Sequence, residues 1–272
     1  MKPPVIILGA HRSGTTAVAK ALQKLGLFIG QPNRCDENAE SLFFLRRHEE
    51  YLLEIGASWH QPQAALTHLS TDAGRAHCRD FLRYGVDGRW GGAQSLLRRY
   101  SGPSHVFSLL RGAAWGWKDP RTTLLAPAWL EVFPEAKIVH VLRHPIDVAL
   151  SLQARQMALV DPLPMMQAPQ LKQLEHALNL VQLYVECGVA MRHLGERYCE
   201  IHYEDLQENP AEKLQQVSEF CELPRRSDFT KRLGAAAAEI ERSGHDRRLT
   251  LPAHETARLW ENYPNQLRFE YS

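Results

Sequence analysis

The strongest constraint on the fold is a short apolar run that ends in a glycine-rich turn and leads directly into a helical pattern. Val5 to Leu8 has the composition of a strand buried on both faces. From Thr15 to Leu25 the apolar residues share one face of a helix, and Gly26 follows as a stop. Between strand and helix, Gly9 and Gly14 have the spacing of a loop that cradles phosphate. This order of elements predicts an α/β protein.

The rest of the chain continues the alternation of strands and helices. Residues 137–142 are rich in β-branched side chains and predict a strand, and residues 199–203 predict another. A brief apolar segment, 114–117, and the run 27–29 are further candidate strands, and 171–185 has the spacing of a long amphipathic helix. We therefore expect a central, mostly parallel sheet flanked by helices in three α/β/α layers, like the fold of P-loop nucleotide triphosphatases.

The whole chain, 1–272, is expected to form a single domain. Helical patterns at about 40–56, 71–84 and 91–100 follow a polar segment and precede the next candidate strand. They predict a helical insertion around 30–112.

Composition excludes several classes of protein. With 44% hydrophobic and 23% charged residues the chain is neither disordered nor a coiled-coil rod, and a net charge of +1 argues against a surface held broadly on nucleic acid. No apolar stretch approaches the length of a membrane span, and the run before Gly9 is too short for a signal peptide. Five scattered Cys without a Cys-x-x-Cys pair favour reduced thiols. We expect a cytoplasmic protein without stable membrane insertion.

The loop from Gly9 to Thr16 has the cradle of a phosphate site but not its usual lysine. Backbone N–H groups and a helix N-terminus face an anion in such loops. Nucleotide triphosphatases need a Lys directly after the second Gly, where this chain has Thr15, while Arg12 adds positive charge inside the loop. The loop is interpreted as an anion site; the alternative is a turn that only joins strand to helix.

Arg12-Ser13-Gly14-Thr15-Thr16 resembles the 5′-phosphosulfate-binding loop of the sulfotransferases that use 3′-phosphoadenosine 5′-phosphosulfate (PAPS). Tyrosylprotein and carbohydrate sulfotransferases have closely similar loops, whereas the cytosolic members have Lys where Arg12 stands. The resemblance implies that all five residues contribute to binding of the donor, and that Arg12 also stabilises charge during transfer.

A second match lies at the end of the strand 137–142. Arg143, with Ser151 eight residues later on the following helix, resembles the 3′-phosphate site of the family. A guanidinium makes charge-assisted bonds to phosphate and a hydroxyl occupies a further acceptor. The alternative is that Arg143 pairs with Asp147 and that Ser151 is buried in its helix.

Two further matches follow in the expected order. Lys118-Asp119-Pro120 resembles a segment of the tyrosylprotein branch in which the Lys contacts the sulfuryl group, although a surface Lys in a turn is the alternative. Tyr203 lies in a segment similar to the one whose Tyr is near the adenine, with a core Tyr as the alternative. The four matches cover most of the chain.

The resemblance implies a sulfotransferase that moves the sulfuryl group from PAPS to a hydroxyl or amine, releases 3′-phosphoadenosine 5′-phosphate (PAP) and needs no metal. The general base has three candidates, Glu37, Glu40 and His48, among which Glu40 is preferred because it would open the following helix. The predicted catalytic residues are therefore Lys118, Glu40 and Arg12. Cytosolic members use a His just after the central Lys, and that His is absent here.

The acceptor is not readable from the sequence, and a small molecule, glycan, lipid or peptide is equally compatible. Candidate residues for its pocket, which the insertion is expected to shape, are Trp59, Trp90, Phe43, Phe44, Met165 and Met166, with Arg79, Arg83, Arg98 and Arg99 if an acidic acceptor is bound. The C-terminal arginines, which are weak candidates to close the 3′-phosphate site, are Arg242, Arg247 and Arg248. No nucleic-acid partner is expected, and the oligomeric state is open.

Two alternative functions remain at this stage. One is a P-loop kinase or nucleotide hydrolase with an altered loop, against which Thr15 and the lack of an obvious Mg²⁺ carboxylate argue. The other is a non-catalytic nucleotide-binding protein of the same fold, since fold alone does not determine chemistry.

Overall fold

The computed structural model describes residues 1–84, 86, 100–101, 105, 108–160, 167–242, 247–264 and 267. Within these residues a four-stranded sheet forms the centre of the molecule, with strands β1 (Val5–Leu8), β2 (Gly116–Lys118), β3 (Lys137–Leu142) and β4 (Tyr198–His202). The strand order is β2-β1-β3-β4 and every pairing is parallel. The predicted α/β architecture with a parallel sheet is confirmed.

Helices cover both faces of the sheet. In chain order they are α1 (Thr15–Leu25), α2 (Leu42–Glu54), α3 (Gln63–Leu69), α4 (Asp72–Arg83), α5 (Thr122–Val132), α6 (Pro145–Ala158), α7 (Leu174–Val189), α8 (Tyr203–Glu208), α9 (Pro210–Phe220), α10 (Phe229–Glu241) and α11 (Ala253–Asn262). Helices α1 and α10 pack together on one side, and α6 and α7 pack together on the other. Crossover helices are expected, because two parallel strands cannot be joined by a tight turn.

The core is divided by the sheet, as the three-layer architecture requires. Along β1, Ile6 and Leu8 belong to one apolar cluster while Val5 and Ile7 belong to the other. All four residues are buried, since successive side chains of a strand point to opposite faces and both faces are covered here. The prediction that this run is a strand buried on both faces is confirmed.

Two predicted elements have a different outcome. The candidate strand at 27–29 is wrong: Phe28 forms a single isolated bridge to Trp115, and the chain turns away at Gly30, where φ is +119°. Leu27 and Ile29 are buried, which explains why the run has the composition of a strand. The helix predicted at 91–100 lies outside the described residues apart from Tyr100.

Helices α2, α3 and α4 occupy the stretch between α1 and β2, where the helical insertion is predicted. All five cysteines are free thiols. Among the helices of the described segments, none is both long enough and apolar enough to cross a membrane.

Candidate functional site

A cavity of about 1090 Å³ opens where three neighbouring strands end. Its walls include Arg12 and Gly14 in the loop after β1, Lys118 at the end of β2 and Arg143 directly after β3. Parallel strands place their carboxyl ends at one edge of a sheet, and an open α/β sheet binds ligands outside that edge. The geometry therefore makes this cavity the candidate binding site.

The loop after β1 leaves backbone N–H groups without helical acceptors at residues that line the cavity. The first intrahelical bond of α1 runs from the N–H of Val18 to the carbonyl of Gly14, so the amides of the preceding turn have no helical acceptor. No acidic residue occupies that first turn, and Thr15 and Thr16 line the cavity. This arrangement is suited to an anion.

The loop contains a strained backbone conformation and is held by a hydrogen bond to a threonine hydroxyl. Arg12 has φ +73°, a left-handed conformation that is costly for any residue other than glycine. The hydroxyl of Thr123, in the first turn of α5, accepts a hydrogen bond of 3.0 Å from the N–H of Gly9. Ser13 does not line the cavity, because its hydroxyl is turned into the loop and donates to the carbonyl of Ala10 at 2.8 Å.

Arg12, Arg143, Ser151 and Tyr203 all line the cavity and make two contacts in pairs. Nε of Arg12 donates a hydrogen bond of 3.1 Å to the hydroxyl of Ser151 on α6. The guanidinium of Arg143 lies 5.1 Å from the ring centroid of Tyr203, so the two make a cation–π contact. The alternative partner predicted for Arg143, Asp147, pairs instead with Arg248.

Gly14 lies in close contact with the ring of Tyr203. A Cβ atom on Gly14 would lie 2.3 Å from Cδ2 of Tyr203, and the φ of Gly14 is +97°. Only glycine combines this conformation with so close a contact. Tyr203 is thus both a buried residue and part of the cavity wall.

Glu40 and Lys118 form a buried ion pair at the cavity. Nζ of Lys118 lies 2.9 Å from one oxygen of Glu40, and the guanidinium of Arg121 lies 3.3 Å from the other. The N–H of Glu40 donates to the carboxylate of Asp36 at 2.7 Å, which fixes the segment before α2. Burial raises the pKa of Glu40 above its ordinary value, although the Lys118 ammonium opposes this effect. Glu40 precedes the helix rather than opening it, because α2 begins at residue 42.

Lys118 is 2% exposed, so the alternative of a surface lysine in a turn is wrong. Glu37 also lines the cavity but is exposed at its rim. The two carboxylates that were candidates for a general base therefore differ in surroundings: one is held in a buried network and the other is in contact with solvent.

His48 is not positioned to act on a ligand. Its ring is completely buried, Nε2 accepts a hydrogen bond of 2.8 Å from the indole N–H of Trp129, and Nδ1 lies 2.8 Å from the carboxylate of Asp119. Because an indole can only donate, the ring proton must be on Nδ1. Both nitrogens are occupied by protein groups, which makes His48 a structural residue.

Asp119 connects this buried histidine to Arg121. Its second oxygen accepts from Arg121 at 3.0 Å, while Arg121 also bonds to Glu49 at 2.9 Å. Burial alone would raise the pKa of Asp119, but the charge of Arg121 and the hydrogen bond from His48 hold it well below its ordinary value. Arg121 thus bridges Asp119, Glu49 and Glu40, and this network positions Glu40.

Several cavity residues were not identified from the sequence, among them Arg121, Arg155 and His11. Arg121 could have been found as the basic residue that follows Pro120 at the start of a helix. Arg155 lies one helical turn after Ser151, and the i, i+4 spacing places both on one face of α6. His11, inside the glycine-rich loop, had no signal beyond its position.

Among the residues predicted to line the acceptor pocket, some line the cavity in the structure and others do not. Trp59 lines the cavity, whereas Phe44 is stacked on Trp117 in the core and Phe43 packs against it. Arg79 pairs with Asp80 and Glu131 away from the cavity, and Arg83 does not line it. The predicted residues that lie outside the described part of the chain are Trp90, Arg98, Arg99, Met165 and Met166.

Arg242 and Arg248 do not line the cavity that the described residues form. Arg242 pairs with Glu239 at 2.9 Å, and the guanidinium of Arg248 pairs with Asp147 at the start of α6. The side chain of Arg247 is outside the described part of the structure.

Comparison with known proteins identifies a matching family and structures of similar fold. A model described as the sulfotransferase family matches residues 3–228. The sulfotransferase STF9 from Mycobacterium avium is similar in structure, with a TM-score of 0.50 and 16% identity over 96% of this chain and 76% of that one. The sulfotransferase domain of the Synechococcus PCC 7002 olefin synthase has a TM-score of 0.49 and 19% identity, over 100% of this chain and 95% of that one.

A mouse sulfotransferase complexed with PAP has a TM-score of 0.47 and 11% identity, over 90% of this chain and 68% of that one. No curated protein matches the sequence significantly.

Proposed function

Because this chain belongs to the sulfotransferase family and is an enzyme of that family, we propose that it transfers the sulfuryl group of PAPS to a hydroxyl or amine of an acceptor. The observation that carries the proposal is the pairing of two anion-binding groups in one cavity. The loop with Arg12 is assigned to one group, and Arg143 and Ser151, which line the same cavity, are assigned to the other.

These two groups fit a nucleotide that carries separate anions on its 5′ and 3′ positions. We assign the 5′-phosphosulfate to the loop from Arg12 to Thr16, where the helix N-terminus favours negative charge. Arg143 and Ser151 are assigned to the 3′-phosphate, since a guanidinium and a hydroxyl donate to different phosphate oxygens. Tyr203 supports Arg143 through its ring and is available to the adenine.

Lys118 and Glu40 are assigned to the chemistry. Sulfuryl transfer resembles phosphoryl transfer, in which a loose in-line displacement builds charge on the leaving oxygen. Lys118 stabilises that charge on the 5′-phosphate as the bond between sulfur and the bridging oxygen breaks. Glu40 accepts the proton of the acceptor hydroxyl as the new bond to sulfur forms, and its raised pKa suits a general base.

Selective binding of the product tests this assignment. Isothermal titration calorimetry with PAP, AMP and ATP with Mg²⁺ should show PAP binding more tightly than AMP by about tenfold or more, because charge-assisted bonds to the 3′-phosphate are each worth about 1.5–3 kcal/mol. Arg143→Ala should abolish the difference between PAP and AMP.

Arg79→Ala is the matched control, because it removes the same charge from a surface position away from the cavity. The control should keep the preference for PAP. Tighter binding of ATP with Mg²⁺ than of PAP, or an unchanged preference in Arg143→Ala, would contradict the proposed donor.

A further inference from the structure

One part of the cavity carries a cation, an aromatic ring and a histidine that the proposed donor site does not use. The guanidinium of Arg155 lies 6.0 Å from the ring centroid of Trp59, and the ring of His11 lies 4.6 Å from that same ring. All three residues line the cavity. They are called the Trp59 cluster below.

Arg155 differs from the other cations around it. Lys118 and Arg121 are both paired with Glu40. Across the described ranges of the chain, no carboxylate lies within ion-pair distance of Arg155, whose contact is with the ring of Trp59. A half-buried guanidinium that faces a cavity without a carboxylate partner is suited to bind an anionic group of a ligand.

His11 gives a second and independent observation. Its side chain is buried, the residue is 9% exposed, and Nε2 has no hydrogen-bond partner within the described part of the protein. Buried polar atoms are nearly always hydrogen-bonded, so an unpartnered ring nitrogen beside Trp59 is an exception at the wall of this cavity. Burial, with the charge of Arg121, lowers the pKa of His11 well below its ordinary value, so the ring is neutral and can accept or donate.

Apolar side chains complete this part of the wall. Leu42 and Leu45 on α2, with Ala154 and Ala158 on α6, line the same cavity. Together with the indole ring they favour a flat or apolar body in the ligand, because burial of apolar surface is favourable in such pockets.

We propose that the Trp59 cluster is the acceptor subsite, and that the acceptor carries a carboxylate beside a flat or apolar portion. Arg155 binds the carboxylate with two parallel N–H groups, and Trp59, held between Arg155 and the ring of His11, packs against the apolar portion. The inference rests on the proposed function, since it assumes that the donor occupies Arg12, Arg143 and Ser151.

The proposal that the acceptor carries a carboxylate is tested with pairs of ligands that differ only in having an acid or an amide group. Calorimetric titrations of the protein saturated with PAP would use hydroxyphenylpropanoate, a hydroxy fatty acid and glucuronate, each compared with its neutral amide. At least one acid should bind about tenfold more tightly than its amide, because a bidentate Arg–carboxylate pair is lost in the amide. If no acid binds more tightly than its amide, the inference is wrong.

Two variants test whether Arg155 is responsible for the preference for the acid over its amide. Arg155→Gln should reduce the acid-to-amide ratio to about threefold or less, because glutamine cannot form the charged fork. Lys172→Gln, which removes one charge from an exposed position just before α7, should keep the ratio of the unmodified protein. An unchanged ratio in Arg155→Gln overturns the assignment.

The affinity for PAP separates this inference from the proposed function. Arg155→Gln should bind PAP within about twofold of the unmodified protein, because PAP is assigned to other residues. If PAP does not bind the unmodified protein, both the function and the subsite are wrong. If PAP binds and the acids show no preference, only the subsite is wrong.

Discussion

Arg12 and Ser151 are 139 positions apart in the sequence, yet Nε of the arginine donates a hydrogen bond of 3.1 Å to the serine hydroxyl. The contact joins the loop after β1 to the helix after β3. It also brings the residue assigned to the 5′-phosphosulfate against the residue assigned to the 3′-phosphate. The two proposed anion-binding groups therefore form one continuous surface.

Ser151→Ala should weaken the binding of PAP by about tenfold, because a hydrogen bond to a charged phosphate is worth about 1.5–3 kcal/mol. The affinity for AMP, which has no 3′-phosphate, should change by less than about twofold. Calorimetric titration of both nucleotides measures the difference. Ser218→Ala removes another buried hydroxyl, one that donates to a carbonyl of its own helix, and should leave both affinities unchanged. Equal losses for PAP and AMP in Ser151→Ala would refute the assignment.

Glu40→Gln should slow sulfuryl transfer by about a hundredfold or more, since general bases contribute about 10²–10⁴ in rate. PAP should bind at least as tightly as before, because Lys118 and Arg121 lose the carboxylate that competes with the nucleotide. Single-turnover transfer from radiolabelled PAPS measures the rate, and titration with PAP measures the affinity.

Glu37→Gln distinguishes the two candidate bases in the same assays. The side chain of Glu37 is at the exposed rim of the cavity, and its replacement should change the transfer rate by only about twofold. A large loss in Glu37→Gln with little loss in Glu40→Gln would reverse the assignment.

Gly14→Ala should lower the free energy of unfolding by about 2–4 kcal/mol, because it combines a left-handed φ with a clash in a packed wall. The new Cβ would lie 2.3 Å from Cδ2 of Tyr203. Gly56→Ala has a similar φ of +67° but no neighbour within 4 Å, so its smaller loss, about 1 kcal/mol, isolates the backbone contribution. Urea denaturation compares the two variants, and equal losses would show that the contact with Tyr203 is unimportant.

Lowering the pH should reduce the free energy of unfolding because of His140, and this loss should begin at a higher pH than the titration of most carboxylates. Burial lowers the pKa of His140 from 6.5 to about 4, and Nδ1 of the ring lies 2.6 Å from the hydroxyl of Tyr198. Below pH 6.5 the unfolded chain binds a proton that the folded protein takes up only near pH 4. The free energy of unfolding should therefore fall by about 3 kcal/mol over this interval from His140 alone.

The charged groups that face His140 do not change the direction of this pH effect on the free energy of unfolding. Glu200 raises the pKa of His140 only in part, and Arg192 and His202 lower it. The pKa of Glu200 itself is about 2, where burial is outweighed by hydrogen bonds from His202 and Arg192, so its contribution is lost at lower pH. Denaturation at several pH values should give a flatter profile between pH 6.5 and 4.5 for His140→Gln and an unchanged one for His193→Gln, whose histidine is exposed. An equally steep profile in His140→Gln would contradict the assignment.

The sheet edge was predictable because it depends on local patterns. The β-branched run of β3, followed by Arg143, and the apolar segment before Lys118 locate two strand ends, and parallel strands bring such ends together. The loop containing Gly14 was identified by its glycine spacing and by its position between a strand and a helix. Lys118, Arg143 and Ser151 were chosen from the resemblance to the sulfotransferases, and all three line the cavity.

The charge network was not predictable from the same patterns. Whether Glu40 pairs with Lys118, and whether Arg121 bridges Glu40 and Asp119, depends on how α2 packs over the end of β2. Sequence spacing contains no information about a contact of that range. For the same reason His48 was a candidate base, although its ring is enclosed by Trp129 and Asp119.

The position of β1 in the middle of the sheet has a consequence for how the protein acquires its ligand-binding ability. β1 forms near the start of the chain but must wait for β2 and β3 before its loop has neighbours on either side. A nascent or truncated polypeptide that stops before residue 151 lacks Ser151 and part of helix α6. We expect nucleotide affinity to arise in one step with cooperative folding, so that no fragment ending before residue 151 retains a weakened version of it.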